Sequence, residues 1–385
     1  MYTAFDQNRL DEIMRRSSID AVLATTRHNV QYLLGGYRYF FFANMDAIGI
    51  SRYLPVVGYV AGRPDDAFYI GCGNESWGTD VHPLWIDDVQ HTSWSSADSA
   101  NAAASSLRKR GLDRGTIAVE ISFIPGDALD ILRAELPDAS FVDAQFVLEE
   151  LRAVKSAEEL ELVRAASEGI ISSMLATFAE SRPGMTKAEI VEQFRREQTN
   201  RGLYFDYCLV ATGPNLNRAP SDEIWRPGTV LSLDSGGMYQ GYIGDLARMA
   251  VHGEPNARMV DLMDQIESIQ QLVRTVVKAG VRGADIYDAA LPALDKSPDS
   301  SHLRFLAHGM GLITHEVPRL TAVGPVPYPA DHAERPLEAG NVLSIETWAE
   351  DPEIGFVKLE DTLIVTNDGY EAPGDAGRGY TVVHD

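Results

Sequence analysis

Four acidic residues set in two apolar segments are the part of this sequence best equipped for chemistry. The first segment, VLSLDSGGMYQGYIGDLARMAV from Val230 to Val251, reads as strand, glycine-rich turn and strand, and carries Asp234 and Asp245. The midpoint between those positions falls inside GGMYQG, so the two are expected to face each other across a hairpin. The second segment, VLSIETWAEDPEIGFVKLEDTLIV from Val342 to Val365, places Glu346 and Glu360 symmetrically about DPEIG, which gives the same expectation. Like charges set opposite each other are destabilising, and neighbours such as Leu233, Ile345 and Leu359 indicate burial. One such pair alone fits a solvated accident. Two pairs on apolar strands call for a cation or a shared proton.

Two divalent cations would neutralise the four carboxylates. An oxygen-rich site with one imidazole suits Mn, Co, Fe or Zn, with availability deciding between them. The nitrogen candidate is His308 in FLAHGMGLITHEVP, where flanking glycines permit close backbone approach. A lone histidine is more often structural than a ligand, but two buried carboxylate pairs reverse that balance. HEVPR at 315–319 is not the zinc-peptidase HExxH, because position 319 is Arg. Arg319 and Arg335 are candidates to hold a substrate carboxylate, and Asp222, Arg248 and Lys358 to orient ligands.

The elements that position these residues follow from periodicity. In the first 150 residues helical patterns at Gln7 to Ser18, Ala97 to Lys109 and Pro125 to Leu136 alternate with strand patterns at Ala21 to Thr25, Tyr53 to Val60, Asp66 to Ile70 and Thr116 to Glu120. Pro125 suits a first helical position. Helix signal dominates from Leu151 to about Arg201, with Ser156 and Thr186 as caps, and returns from Ala257 to Ala279. The aromatic run Tyr37, Tyr39, Phe40, Phe41 and Phe42 reads first as core or dimer packing and second as a wall of an active site. The reading is an α/β chain of two domains, 1–151 and 152–385, joined at the start of a helix.

Bulk properties narrow the partners. A chain of 385 residues suits two cores, and 45% hydrophobic with 23% charged residues excludes a disordered or fibrous protein. The net charge of −23 repels phosphate backbones and anionic lipid, so nucleic acid and membrane surfaces are not expected partners. The start, MYTAFDQNRLDEIMRR, has no apolar core and is unlike a secretory signal. Cys72 and Cys208 stand in no metal or redox spacing, and a cytoplasmic location is expected.

At these residues the sequence resembles the pita-bread metallohydrolases: aminopeptidase P, prolidase, methionine aminopeptidase and creatinase. The matching pieces are LDSGGMYQGYIGD, HGMGLITHE, SIET, VKLED and the linker helix LRAVKSAEELELVRAA, which together cover the chain from about 150 to the end. HNVQYLLGGY resembles the smaller domain that precedes the catalytic one in prolidase and creatinase. The resemblance implies a creatinase-type α/β N-terminal domain ahead of a pita-bread α+β catalytic domain. It implies that Asp234 chelates one metal, that Asp245 and Glu360 bridge both, and that His308 and Glu346 complete the coordination of the other. Glu346 would double as base for the attacking water. The resemblance also implies that His315 touches substrate near the scissile bond, and that the metals are two divalent ions, manganese first.

The pattern also departs from that family. A histidine usual before the first Asp, associated with amide substrates, has its place at Asn217, which becomes a candidate substrate contact. Thr347-Trp348 stands where peptidases often show Pro-Gly. The leading reading is therefore a hydrolase of Xaa-Pro dipeptidase or aminopeptidase P type, acting as a homodimer on a short peptide. The alternative is a non-peptidase of the same fold cleaving a small molecule, as creatinase, ectoine hydrolase or dimethylsulfoniopropionate lyase do. A non-catalytic binding module comes third, because such relatives have lost ligands that are all present here.

Overall fold

The computed structural model describes residues 5–322 and 329–384. The chain divides into two compact units, Met1–Arg152 and Ala153–Asp385. The first contains α1 (Gln7–Arg16), β1 (Ala21–Ala24), α2 (Arg27–Leu33), β2 (Val56–Val60), β3 (Phe68–Cys72), α3 (Ser76–Val81), β4 (Asp88–Ser93), α4 (Ser96–Lys109), β5 (Thr116–Val119), α5 (Gly126–Glu135), β6 (Ser140–Asp143) and α6 (Gln145–Arg152). Its strands form one mixed sheet in the order β4-β3-β2-β1-β5-β6. Every residue of β1 and β2 is buried, as central strands covered on both faces require. Helix α2 carries no sequence signal of its own. It is held at its start by buried Glu120, whose carboxylate accepts from the Thr26 N–H at 2.8 Å and from Asn29 Nδ2 at 2.6 Å. Pro125 caps α5 instead of opening it, because its ψ of 140° lies outside the helix. Residues Phe40–Phe42 form a single 3-10 turn whose rings pack on Tyr39 and Tyr53, with Phe42 buried and Phe40 62% exposed.

The second unit contains α7 (Ala157–Glu180), α8 (Lys187–Asn200), β7 (Tyr204–Thr212), β8 (Val230–Tyr239), β9 (Tyr242–His252), α9 (Ala257–Arg274), α10 (Gly283–Lys296), β10 (Leu303–Gly309), β11 (Val342–Asp351), β12 (Gly355–Val365), β13 (Tyr370–Glu371) and β14 (Tyr380–Val383). Capping boxes start α7 and α8, from Ser156 with Glu159 and from Thr186 with Glu189. The main sheet runs β10-β11-β12-β9-β8-β7, with β13 added to β12 and β14 to β9. Leu231, Leu233 and Leu246 pack with Ile170, Met174 and Phe194 of α7 and α8. Ile345, Leu359 and Leu363 pack with Leu262, Ile266 and Ile286 of α9 and α10. Because side chains alternate along a strand, these apolar anchors turn their even-numbered neighbours Asp234, Glu346 and Glu360 to the other face. Among the described residues no helix is long and apolar enough to cross a membrane, and both cysteines are buried and free.

Lys155, just ahead of α7, is buried with its ammonium 2.9 Å from the Glu316 carboxylate. The Glu316 N–H donates to the Gly309 carbonyl at 2.9 Å, and the Gly309 N–H to that of Pro318 at 3.0 Å. The ion pair thus pins the segment that carries His315 onto the end of β10. Removing one partner of a buried pair leaves the other charge uncompensated. Lys155→Ala is expected to lower stability in urea unfolding by about 3–5 kcal/mol. A loss below about 1 kcal/mol would show that Glu316 is satisfied without the lysine.

Candidate metal centre

The site begins with two hairpin registers. The first hairpin turns on Gln240 and Gly241, both with positive φ (48° and 92°), the two-residue turn that suits strand twist. Asp234 therefore pairs with Ala247, and Asp245 with Gly236. This corrects the expectation that the two aspartates stand directly opposite. Gly236 and Gly237 are strand residues, so the turn lies further along than GGMYQG suggests, and the aspartates form a diagonal pair. In the second hairpin Glu346 does face Glu360. Glu360 in turn faces Ala247 across β12 and β9, and Glu346 faces Leu306, two residues from His308. Parity then puts Asp234, Asp245, His308, Glu346, Lys358 and Glu360 on one face of the sheet.

All six are buried there. Asp245, His308 and Glu360 offer ligand atoms that lie within 4.8 Å of one another. Asp234 and Glu346 stand outside that triad, joined to Glu360 by Lys358. Its Nζ lies 2.7 Å from Asp234 Oδ2, 2.5 Å from Glu346 Oε2 and 2.9 Å from Glu360 Oε2. Arg218 Nη1 adds a contact of 3.2 Å to Asp234. The Tyr207 hydroxyl donates to Asp245 Oδ1 at 2.5 Å, and the Ser344 hydroxyl to Glu360 Oε1 at 2.7 Å. A Cβ on Gly236 would come within 2.5 Å of the Tyr207 ring, so glycine is what lets that phenol cross β8 to reach Asp245.

His308 tests whether a cation fits. Its Nδ1 sits 3.1 Å from its neighbour Gly309's carbonyl, which holds the proton on that nitrogen. Its Nε2 is buried, has no hydrogen-bond partner among the described residues, and lies 3.8 Å from Glu346 Oε1. A lone pair aimed at carboxylates is a mismatch that a divalent cation resolves. Burial drives the His308 pKa down to about 4, so the ring is neutral and available as a ligand. His315 stacks on it, ring centroids 3.8 Å apart, and burial together with His308 lowers its pKa to about 3. Burial pushes all four carboxyls upward, and Glu360 and Asp234 push Asp245 furthest. For Lys358 burial alone would lower the pKa, but Asp234, Glu346 and Glu360 outweigh it and hold the ammonium charged.

Not every candidate reaches the site. Asn217 is exposed, and its side-chain oxygen accepts from the Ala219 N–H at 2.8 Å, while buried Lys187 holds its carbonyl at 2.5 Å. The neighbours Leu216 and Arg218 line the cleft in its stead. Arg319 is half-buried outside the cleft lining, with its carbonyl accepting from the His332 N–H. Asp222 is exposed. Arg248 lies beneath the site, donating to the Glu360 carbonyl at 2.7 Å and pairing with Asp361. Tyr207 has no counterpart among the sequence-derived candidates, because an irregularity between Phe205 and Tyr207 breaks the strand pattern there. Lys358 carries a legible signal: two residues before Glu360, it must share its face.

Asp234, Asp245, Glu346, Lys358 and Glu360 floor a cleft of about 650 Å³ whose walls include Leu209, Leu306, Trp348 and Phe356. The model of metallopeptidase family M24 matches residues 161–367, and that of the Creatinase/Prolidase N-terminal domain matches residues 7–154. The Xaa-Pro dipeptidase of Lactobacillus delbrueckii subsp. lactis is 26% identical over 284 residues, covering 72% of this chain and 75% of that protein. The Xaa-Pro dipeptidase of Pyrococcus horikoshii is 22% identical and covers 94% of each. The solved structure of an Xaa-Pro dipeptidase from Bacillus anthracis superposes with a TM-score of 0.80 at 20% identity, over 98% of this chain and 99% of that one. The chain belongs to metallopeptidase family M24, as a metal-dependent hydrolase with a creatinase-type N-terminal domain and a pita-bread catalytic domain.

Proposed function

We propose that this protein hydrolyses the peptide bond before proline in a dipeptide or short peptide, using divalent metal held on the acidic face. The observation that carries the proposal is the buried, unpartnered Nε2 of His308 pointing at carboxylates on the floor of the cleft. The cleft volume of about 650 Å³ falls in the range that encloses a small ligand. Xaa-Pro dipeptidases among the relatives support the choice of bond. In place of the grouping that the resemblance implies, with Glu346 beside His308 on one metal, we group Asp245, His308 and Glu360 on a first cation and leave Asp234 and Glu346 to a second. Manganese is the first metal to test, and a cytoplasmic homodimer is the form proposed.

Bound there, a divalent cation supplies polarisation of the scissile carbonyl and a water of lowered pKa. The chain's own residues do the rest. Glu346, its pKa raised by burial, accepts a proton from the attacking water and returns it to the leaving amine. His315 stays neutral and offers one hydrogen bond to the substrate without adding charge. Tyr207 fixes the Asp245 carboxylate from behind. Asn217, turned onto the Ala219 backbone, favours a second reading in which a non-peptide small molecule is the substrate.

With manganese restored after chelation, release of proline from Xaa-Pro dipeptides is expected. No turnover of any Xaa-Pro peptide would overturn the peptidase proposal, and turnover of small amides alone would select the second reading. Asp245→Ala and Glu360→Ala are expected to abolish metal loading and activity while the circular dichroism spectrum stays native. Tyr207→Phe removes only the hydroxyl and is expected to weaken manganese affinity or activity by about 10–100-fold. An unchanged affinity and rate in that variant would show the phenol to be structural.

A further inference from the structure

Lys358 sits where a second cation would have to sit. It lies on β12 two residues ahead of Glu360, and its ammonium contacts three carboxylates from three strands: Asp234, Glu346 and Glu360. The ammonium donates to Asp234 Oδ2, and the Glu346 and Glu360 carboxylates stand at ion-pair distance around it. The side chain is 5% exposed, so it does not simply rest at the rim. The remaining half of the centre, Asp245, His308 and Glu360, keeps its ligand atoms within 4.8 Å of one another and holds the unpartnered imidazole nitrogen. Charge agrees with that division: one ammonium, one guanidinium from Arg218 and a single divalent cation balance the four carboxylates. A second divalent cation would leave two excess positive charges in the buried site while the lysine stayed.

We infer that Lys358 is a resident occupant of half of this centre, so the protein binds one divalent cation tightly at Asp245, His308 and Glu360. A second cation enters the Asp234–Glu346 half only by displacing the lysine side chain. The inference rests on the metal-site reading proposed above. It makes the chain a one-metal centre with a protein ammonium as the second positive charge.

The test is manganese binding by equilibrium dialysis, with electron paramagnetic resonance to separate isolated from paired ions. Wild-type protein is expected to take one equivalent with an isolated-ion spectrum, any second equivalent binding at least tenfold more weakly. Lys358→Met is expected to take two with an exchange-coupled spectrum, and Lys358→Arg to stay at one. Two equivalents of equal affinity in the wild type overturn the inference, and so does a folded Lys358→Met that stays at one. Should Lys358→Met fail to fold, the wild-type and Lys358→Arg stoichiometries decide alone. No binding at all would overturn the metal site itself, an outcome distinct from two equal equivalents.

Discussion

Burying four carboxylates on one face of a sheet is the constraint from which the rest of the catalytic unit follows. Two like charges 4 Å apart repel by about 4 kcal/mol at an effective dielectric of 20. Several such pairs would rival the whole stability of a domain, about 5–15 kcal/mol. The acids are therefore tolerable only with cations or protons among them. Lys358 supplies one cation from within the chain and Arg218 part of another. The buried nitrogen of His308 marks where positive charge is still missing.

The fold serves this arrangement by keeping everything else on the far side. Leucines and isoleucines alternate with the acids along β8, β11 and β12, so the same strands that anchor to α7–α10 turn their carboxylates inward. Donors from neighbouring strands then aim the oxygens: Tyr207 aims Asp245, Ser344 aims Glu360, and Arg248 grips the Glu360 backbone from below. The Lys155–Glu316 pair fixes the loop that lays His315 on His308. Chemistry at the floor of the cleft thus depends on groups held by strands, and the wall residues Leu209, Leu306, Trp348 and Phe356 lie on strands as well.

Much of this is legible from residue order, for a physical reason. Alternation along a strand and symmetry about a turn are local properties, so the amino-acid sequence alone suffices to pair Glu346 with Glu360. The direct pairing of Asp234 with Asp245 fails, because Gly236, Gly237 and Gly241 hide which two residues make the turn. Positions set by tertiary contact are illegible. Helix α2 forms around Glu120, distant in sequence. Asn217 sits in a loop whose path is set by Lys187 and Glu223. Tyr207 lies beyond a strand irregularity that no pattern announces. Lys358 is a different case: parity places it on the acidic face, but only distances reveal that it contacts three acids at once.

The central claim is that this acidic face is a cation site, and diffraction tests it most directly. Crystals soaked in manganese and measured at its absorption edge should give an anomalous peak in contact with Asp245, His308 and Glu360. A featureless anomalous map there, with the His308 Nε2 bonded to a protein group instead, would contradict the account.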